Sequence, residues 1–237
     1  WGNDSSGGAG GNSGRNTVSG GVLNIATGNT SFASGINTVG GGSSNNAGGG
    51  SGGAGSFQAA GANTISGGFQ NSAFGANNPG TSGPSGYNSI GGGYLNNAVG
   101  GTGDGSGGNS IGGGYNNIGR GLSGLNSGWN VIGGGENNNA SGTATGFSGF
   151  NVIGGGQNNI ASPAAGNTGF IVVGGGELNV GNNLHATVGG GYGNHSFGNA
   201  SMIGGGSSNT ASGNGAFVGG GGFDGSSTFG NTASGNA

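Results

Sequence analysis

The groups able to do acid–base or metal chemistry in this chain are few. They are His185, His195, Glu136, Glu177, Asp4, Asp104, Asp224, Arg15 and Arg120, with no lysine and no cysteine. A reaction centre needs a base, nucleophile or ligand set converging on one point. The two histidines stand ten residues apart with no carboxylate near them in the pattern, so they read as exposed positions. Glu136 and Glu177 share one position of a repeat and read as solvated face residues. Strings resembling G-x-G-x-x-G, such as Gly101 to Gly108, lack the strand-then-helix setting that lets such a loop cradle phosphate. These residues lead to the expectation of no enzyme, no cofactor and no metal site.

The same scarcity of charge excludes other classes. Two arginines cannot form the basic patch that neutralises phosphates, so no nucleic-acid partner is expected. The aspartates of acidic calcium-binding repeats are missing. No run of about 18 apolar residues occurs, so no membrane-spanning helix is expected. The chain begins at Trp1, which is compatible with a processed N-terminus. The absence of cysteine is consistent with an exported fibre protein. Sequons at Asn3, Asn29, Asn139, Asn194 and Asn199 are what chance supplies in so Asn/Ser-rich a sequence. With 74 glycines among 237 residues and 3 prolines, the chain could be a Gly/Ser/Asn linker. It is not collagen, because the glycines cluster in runs.

A phased apolar column argues against a linker. A β-branched residue precedes paired glycines eleven times: Val18, Val39, Ile65, Ile90, Ile111, Ile132, Ile153, Val173, Val188, Ile203 and Val218. β-branched side chains suit strands. Numbering the unit from the Asn of NTVGGG, positions five and six are Gly-Gly, as in Gly41–Gly42. Position nine is Asn24, Asn45, Asn71, Asn96, Asn117, Asn138, Asn159, Asn179, Asn194 and Asn209, with Asp224 in the last copy. Position eleven is small, from Ala26 and Ala47 to Gly119, Gly181, Ala211 and Ser226. Positions nine, eleven and thirteen should alternate as one face of a second short strand.

Such a unit cannot bury its own apolar face and must stack on its neighbours. The expected fold is an all-β parallel β-solenoid, or β-roll, of about eleven rungs spaced about 4.8 Å apart. Like residues then form columns, and stacked asparagine amides either hydrogen-bond along the axis or merely serve the turn. The core is thin, about 3 kcal/mol of burial per rung at best. The Gly-Gly-Gly strips either pack against another solenoid or make a tight bend.

Rung size changes along the chain. Copies from Asn88 to Asn151 recur every 21 residues, whereas those from Ala186 to Ala216 recur every 15. The added residues end alike, in Ser-Gly-aromatic or, at Thr168-Gly169-Phe170, Thr-Gly-aromatic, which places Tyr87, Trp129, Phe150 and Phe170 in one column with Gly108 as a gap. Phe69, Tyr94, Tyr115 and Tyr192 form a second aromatic set. The expected organisation is a glycine-rich leader outside the repeat (1–15), a wide-rung solenoid (16–170) and a narrow-rung solenoid (171–237). Gly50–Ala62 and Ala76–Tyr87, with Pro79 and Pro84, read as loops.

NVIGGGENNNASG (130–142) and MIGGGSSNTASG (202–213) resemble the head repeats of YadA-like trimeric autotransporter adhesins and related glycine-rich bacterial surface β-roll proteins. That resemblance implies parallel β-rolls, usually trimeric, displayed outside bacterial cells. The chain departs from the pattern: it shows no coiled-coil heptads and no anchor, and has triple glycine where many heads have alanine.

Three functions fit these readings. The first is a structural subunit of an extracellular filament or surface fibre, whose partners are copies of itself, as filament or trimer. It is prompted by terminal rungs that look like internal ones and by almost no charge to oppose stacking. The second is an adhesin head or phage-type fibre contacting glycans or cell surfaces. The third is an ice-binding solenoid, prompted by Thr17, Thr38, Thr64 and Thr187, although Val131, Val152, Val172, Met202 and Phe217 interrupt that row.

Overall fold

The computed structural model describes residues 2–8, 14–28, 35–50, 61–75, 86–102, 105–123, 126–144, 147–164, 169–222, 226–227 and 229–237. Trp1, Asp104, Asp224 and most of both long insertions, with Pro79 and Pro84, lie outside these residues. Among them the chain is all-β with no helix. Each repeat copy provides one odd- and one even-numbered strand, from β1 (Thr17–Val18) and β2 (Ile25–Thr27) to β21 (Phe217–Val218) and β22 (Thr232–Ala233). Odd strands form one 11-stranded parallel sheet and even strands another, each in chain order. This is a parallel β-solenoid.

Register is that of the repeat. Val39 pairs with Val18 and Ile65, and Ala47 with Ala26 and Ala73. A third line of parallel bridges runs through position seven, from Val22 and Ser43 through Phe69, Tyr94, Tyr115, Glu136, Gln157, Glu177 and Tyr192 to Ser207. Alternation follows the pleat. The first residue of an odd strand faces outward and the second is buried, except that Val18 in the first rung is only partly buried. The core is the Val/Ile column from Val39 to Val218 facing the Ala column.

The glycines answer to the bend and to stacking within the chain. A Cβ on Gly133 would lie 2.3 Å from the carbonyl oxygen of Gly154 one rung on, and one on Gly135 would lie 2.1 Å from that of Gly156. Gly134 has open space but a φ of +155°, which L side chains rarely adopt. Sterics therefore require glycine at two of the three positions and backbone conformation at the third.

Both ends of the stack extend the pattern beyond the sequence reading. Gly2–Gly8 precede the first copy, yet Asp4 bridges Ile25 in parallel and Asn3 Oδ1 accepts the Asn24 N–H at 3.0 Å. In the last rung Ala233, not Ser226, is in register with Ala211. Asn231 holds the position-nine place assigned to Asp224: its N–H donates to Asn209 Oδ1 at 2.8 Å.

Candidate functional site

The side chains that organise this molecule are amides. Asn24, Asn45, Asn71, Asn96, Asn117, Asn138, Asn159, Asn179, Asn194 and Asn209 are all buried. Within the column Nδ2 donates to Oδ1 of the preceding rung at 3.0–3.2 Å, except at Asn179, whose backbone N–H alone reaches Asn159 Oδ1. That oxygen also accepts the backbone N–H of the same residue, as from Asn117 to Asn96 at 3.0 Å. Asn117 Nδ2 further donates to the carbonyls of Gly113 and Gly135, at 2.9 and 2.8 Å. Two hydrogens meet three acceptors, so one bond is shared. The amide thereby serves both bend and ladder. The left-handed turn residue is its predecessor, such as Asn116 at φ 51° or Leu95 at φ 57°.

A second amide ladder has no counterpart in the sequence reading. Asn16, Asn37, Asn63, Asn88, Asn109, Asn130 and Asn151 stack with Nδ2 donating to Oδ1 at 2.8–3.0 Å. The regular Asn at position one was its signal. The ladder ends where Ile171 N–H donates to Asn151 Oδ1 at 3.3 Å. Ile171 packs over Gly181, whose absent Cβ would lie 2.4 Å from Ile171 Cγ2. Further on, the buried Ser196 and Ser201 hydroxyls pair at 2.7 Å in place of amides.

The Ser-Gly-aromatic ending of the wide rungs has a local cause. Ser127 Oγ donates to the Leu122 carbonyl at 2.7 Å and Ser148 Oγ to that of Thr143 at 3.1 Å, each tying the end of the added segment back to its start. The next residue must be glycine, since a Cβ on Gly149 would sit 1.9 Å from the Gly128 carbonyl oxygen. The aromatic residue then takes the left-handed conformation: φ is 63° at Tyr87, 61° at Trp129, 63° at Phe150 and 67° at Phe170. Phe150 and Phe170 stack at 5.1 Å, and His185 extends the column onto Phe170 at 5.4 Å. The Trp129 indole lies over Gly108, filling the gap. In the second set, Phe69–Tyr94 and Tyr94–Tyr115 stack at 5.3 and 5.4 Å. Tyr192 stands apart from them, beyond Glu136, Gln157 and Glu177.

The acidic groups and the two histidines do not converge. Glu136 and Glu177 sit two rungs apart with Gln157 between them. His185 ends the aromatic column, whereas His195 lies in the even sheet, tilted against Phe197 at 5.2 Å. Among the described residues no three His, Cys, Asp or Glu side chains group as metal ligands. A groove of ≈ 310 Å³ beside Arg120 is lined by Ile118, Leu122, Asn139, Ser141, Thr143 and Ser162. No helix among the described residues is long and apolar enough to cross a membrane. Compared with known proteins, the chain matches no family model and no curated protein.

Proposed function

We propose that this chain is a structural subunit of an extracellular or cell-surface fibre that assembles with copies of itself. The observation that carries the reading is registry. Equivalent positions of the repeat pair in register from β1 to β22, so the outer surface is a set of columns repeating at the rung spacing. A surface periodic in one direction suits a partner with the same period, and only 3% of residues are charged to oppose close approach. No catalytic role is part of this proposal.

Negative-stain electron microscopy and fibre diffraction of purified protein test it. Elongated assemblies with a meridional reflection near 4.8 Å are expected. Discrete monomers at every concentration would overturn it.

The aromatic columns favour a second reading, contact with glycans as in an adhesin head or phage-type fibre. Their geometry weighs against it. Sugars stack on exposed ring faces, and the facing rings of Phe150–Phe170 and Tyr94–Tyr115 lie within 5° of parallel, turning those faces toward each other. A glycan array blank for intact protein would remove this reading.

A further inference from the structure

The aromatic column and the first residues of the odd strands are outward neighbours on either side of a buried residue, here Asn130, Asn151 and Ile171. Trp129 and Val131, Phe150 and Val152, and Phe170 and Val172 form three successive two-residue rows. Five of these six side chains are 40–45% exposed, and Val152 is half-buried. Together they present on the order of 400 Å² of apolar surface, as much as the largest patch on an ordinary monomer.

The fold does not require those aromatics. Corresponding left-handed positions in other rungs hold Ala62, Gly108, Ala200 and Gly215. Glycine adopts that conformation freely, whereas a bulky residue there is strained. Large rings held at strained positions and left exposed point outward to a contact.

Resting on the assembly reading above, we infer that this face seats a second copy of the chain, side by side, parallel and rung against rung. Three observations select that occupant. From the aromatic column to the third glycine of the bend, Arg15 in the first rung is the one Asp, Glu, Lys or Arg that the described rungs carry, so burying the rest of the face strands no formal charge. Eleven rungs at about 4.8 Å, and about 15 Å across, give about 750 Å², close to what each partner contributes to a standard interface. Finally, the rows repeat at the rung spacing, and only another such stack can match them row for row. Parallel alignment also sets Met202 and Phe217, 44% and 64% exposed, on their own counterparts. An antiparallel pair centred on the same patch would set them against Ser89 and Thr64.

Sedimentation velocity and cross-linking test the assignment. Val131→Lys with Val172→Lys should raise the dissociation constant about tenfold or more, because like charges meet across a parallel pair. Trp129→Gly with Phe150→Gly and Phe170→Gly should weaken association while keeping the far-UV dichroism of the rod, since glycine suits the backbone there. The chain has no cysteine, so single cysteines report proximity cleanly. Val152→Cys and Met202→Cys should each give covalent dimers with a short bismaleimide, and Thr210→Cys on the even sheet should not. Cross-linking at Val152→Cys without Met202→Cys overturns the parallel register. Undiminished association of the lysine variant overturns this face and leaves the assembly reading standing. A wild-type chain monomeric at every concentration overturns both.

Discussion

Two buried glycines show how the space opposite decides what one methyl group does. Gly119 and Gly181 both occupy the small position of the even sheet, where most rungs have alanine. A Cβ on Gly119 would meet Ile111 Cγ1 at 3.4 Å and Asn109 Cβ at 3.6 Å, ordinary contacts. Gly119→Ala should therefore stabilise the fold by about 0.5–1 kcal/mol, through a less flexible unfolded chain. Gly181→Ala should cost about 1–3 kcal/mol, because Ile171 Cγ2 stands where the methyl would go. The cost should shrink in an Ile171→Asn background, and urea unfolding of the double-mutant cycle measures that coupling. Asn117→Asp replaces a donor by a carboxylate facing the Gly113 and Gly135 carbonyls and Asn96 Oδ1. It should destabilise by about 3 kcal/mol at neutral pH. Repulsion from those oxygens raises the introduced carboxyl's folded-state pKa above its unfolded value, so the penalty should shrink as pH falls and the group regains a hydrogen to donate. Unfolding midpoints at two pH values check the sign.

The bend and the short strand act as one element. Two-residue odd strands are too brief to hold register alone, and the amide at position nine clamps each bend to the rungs before and after it. A side chain on the third glycine breaks both links. Gly135→Ala adds a Cβ at φ +92°, aimed 2.1 Å from the next rung's carbonyl oxygen. It should cost about 2–5 kcal/mol, from left-handed strain and backbone displacement together. Gly134→Ala meets no atom closer than 3.9 Å, so only the conformational part, about 1–3 kcal/mol, remains. Thermal unfolding followed by circular dichroism should rank the two in that order. The strands, their order and the glycine strip were all legible in the spacing. The cause of the strip was not, because spacing cannot tell a glycine needed for a close approach from one needed for a dihedral angle.

At the scale of the whole stack, stability comes from ladders of hydrogen bonds and a narrow Val/Ile/Ala core, with little from ion pairs. Only 2 basic and 5 acidic residues stand in 237. The melting temperature should therefore change by less than about 3 °C as sodium chloride falls from 0.5 M to 0.01 M. A large shift would reveal an electrostatic contribution absent from this account. Association should be almost as insensitive to screening, since among the described residues the proposed contact face carries one formal charge, on Arg15 at its first rung, and sedimentation over the same salt range checks that.

Period and residue type were enough to determine that eleven units stack in parallel, with one apolar, one small and one amide column, because a repeat too small to bury itself has few ways to close. The aromatic alignment was also readable, since Ser-Gly-aromatic recurs at a constant offset from the core residue. Only the tertiary structure decided the rest. It turned the Asn before the odd strands of the first seven rungs, Asn16 to Asn151, into a second ladder, placed Asn3 and Asn231 in the first one, and paired Ile171 with the hollow at Gly181. Those outcomes depend on which atoms of neighbouring rungs come within hydrogen-bonding or contact distance. A linear pattern records that two residues recur together, whereas distances between rungs exist only once the chain has wound.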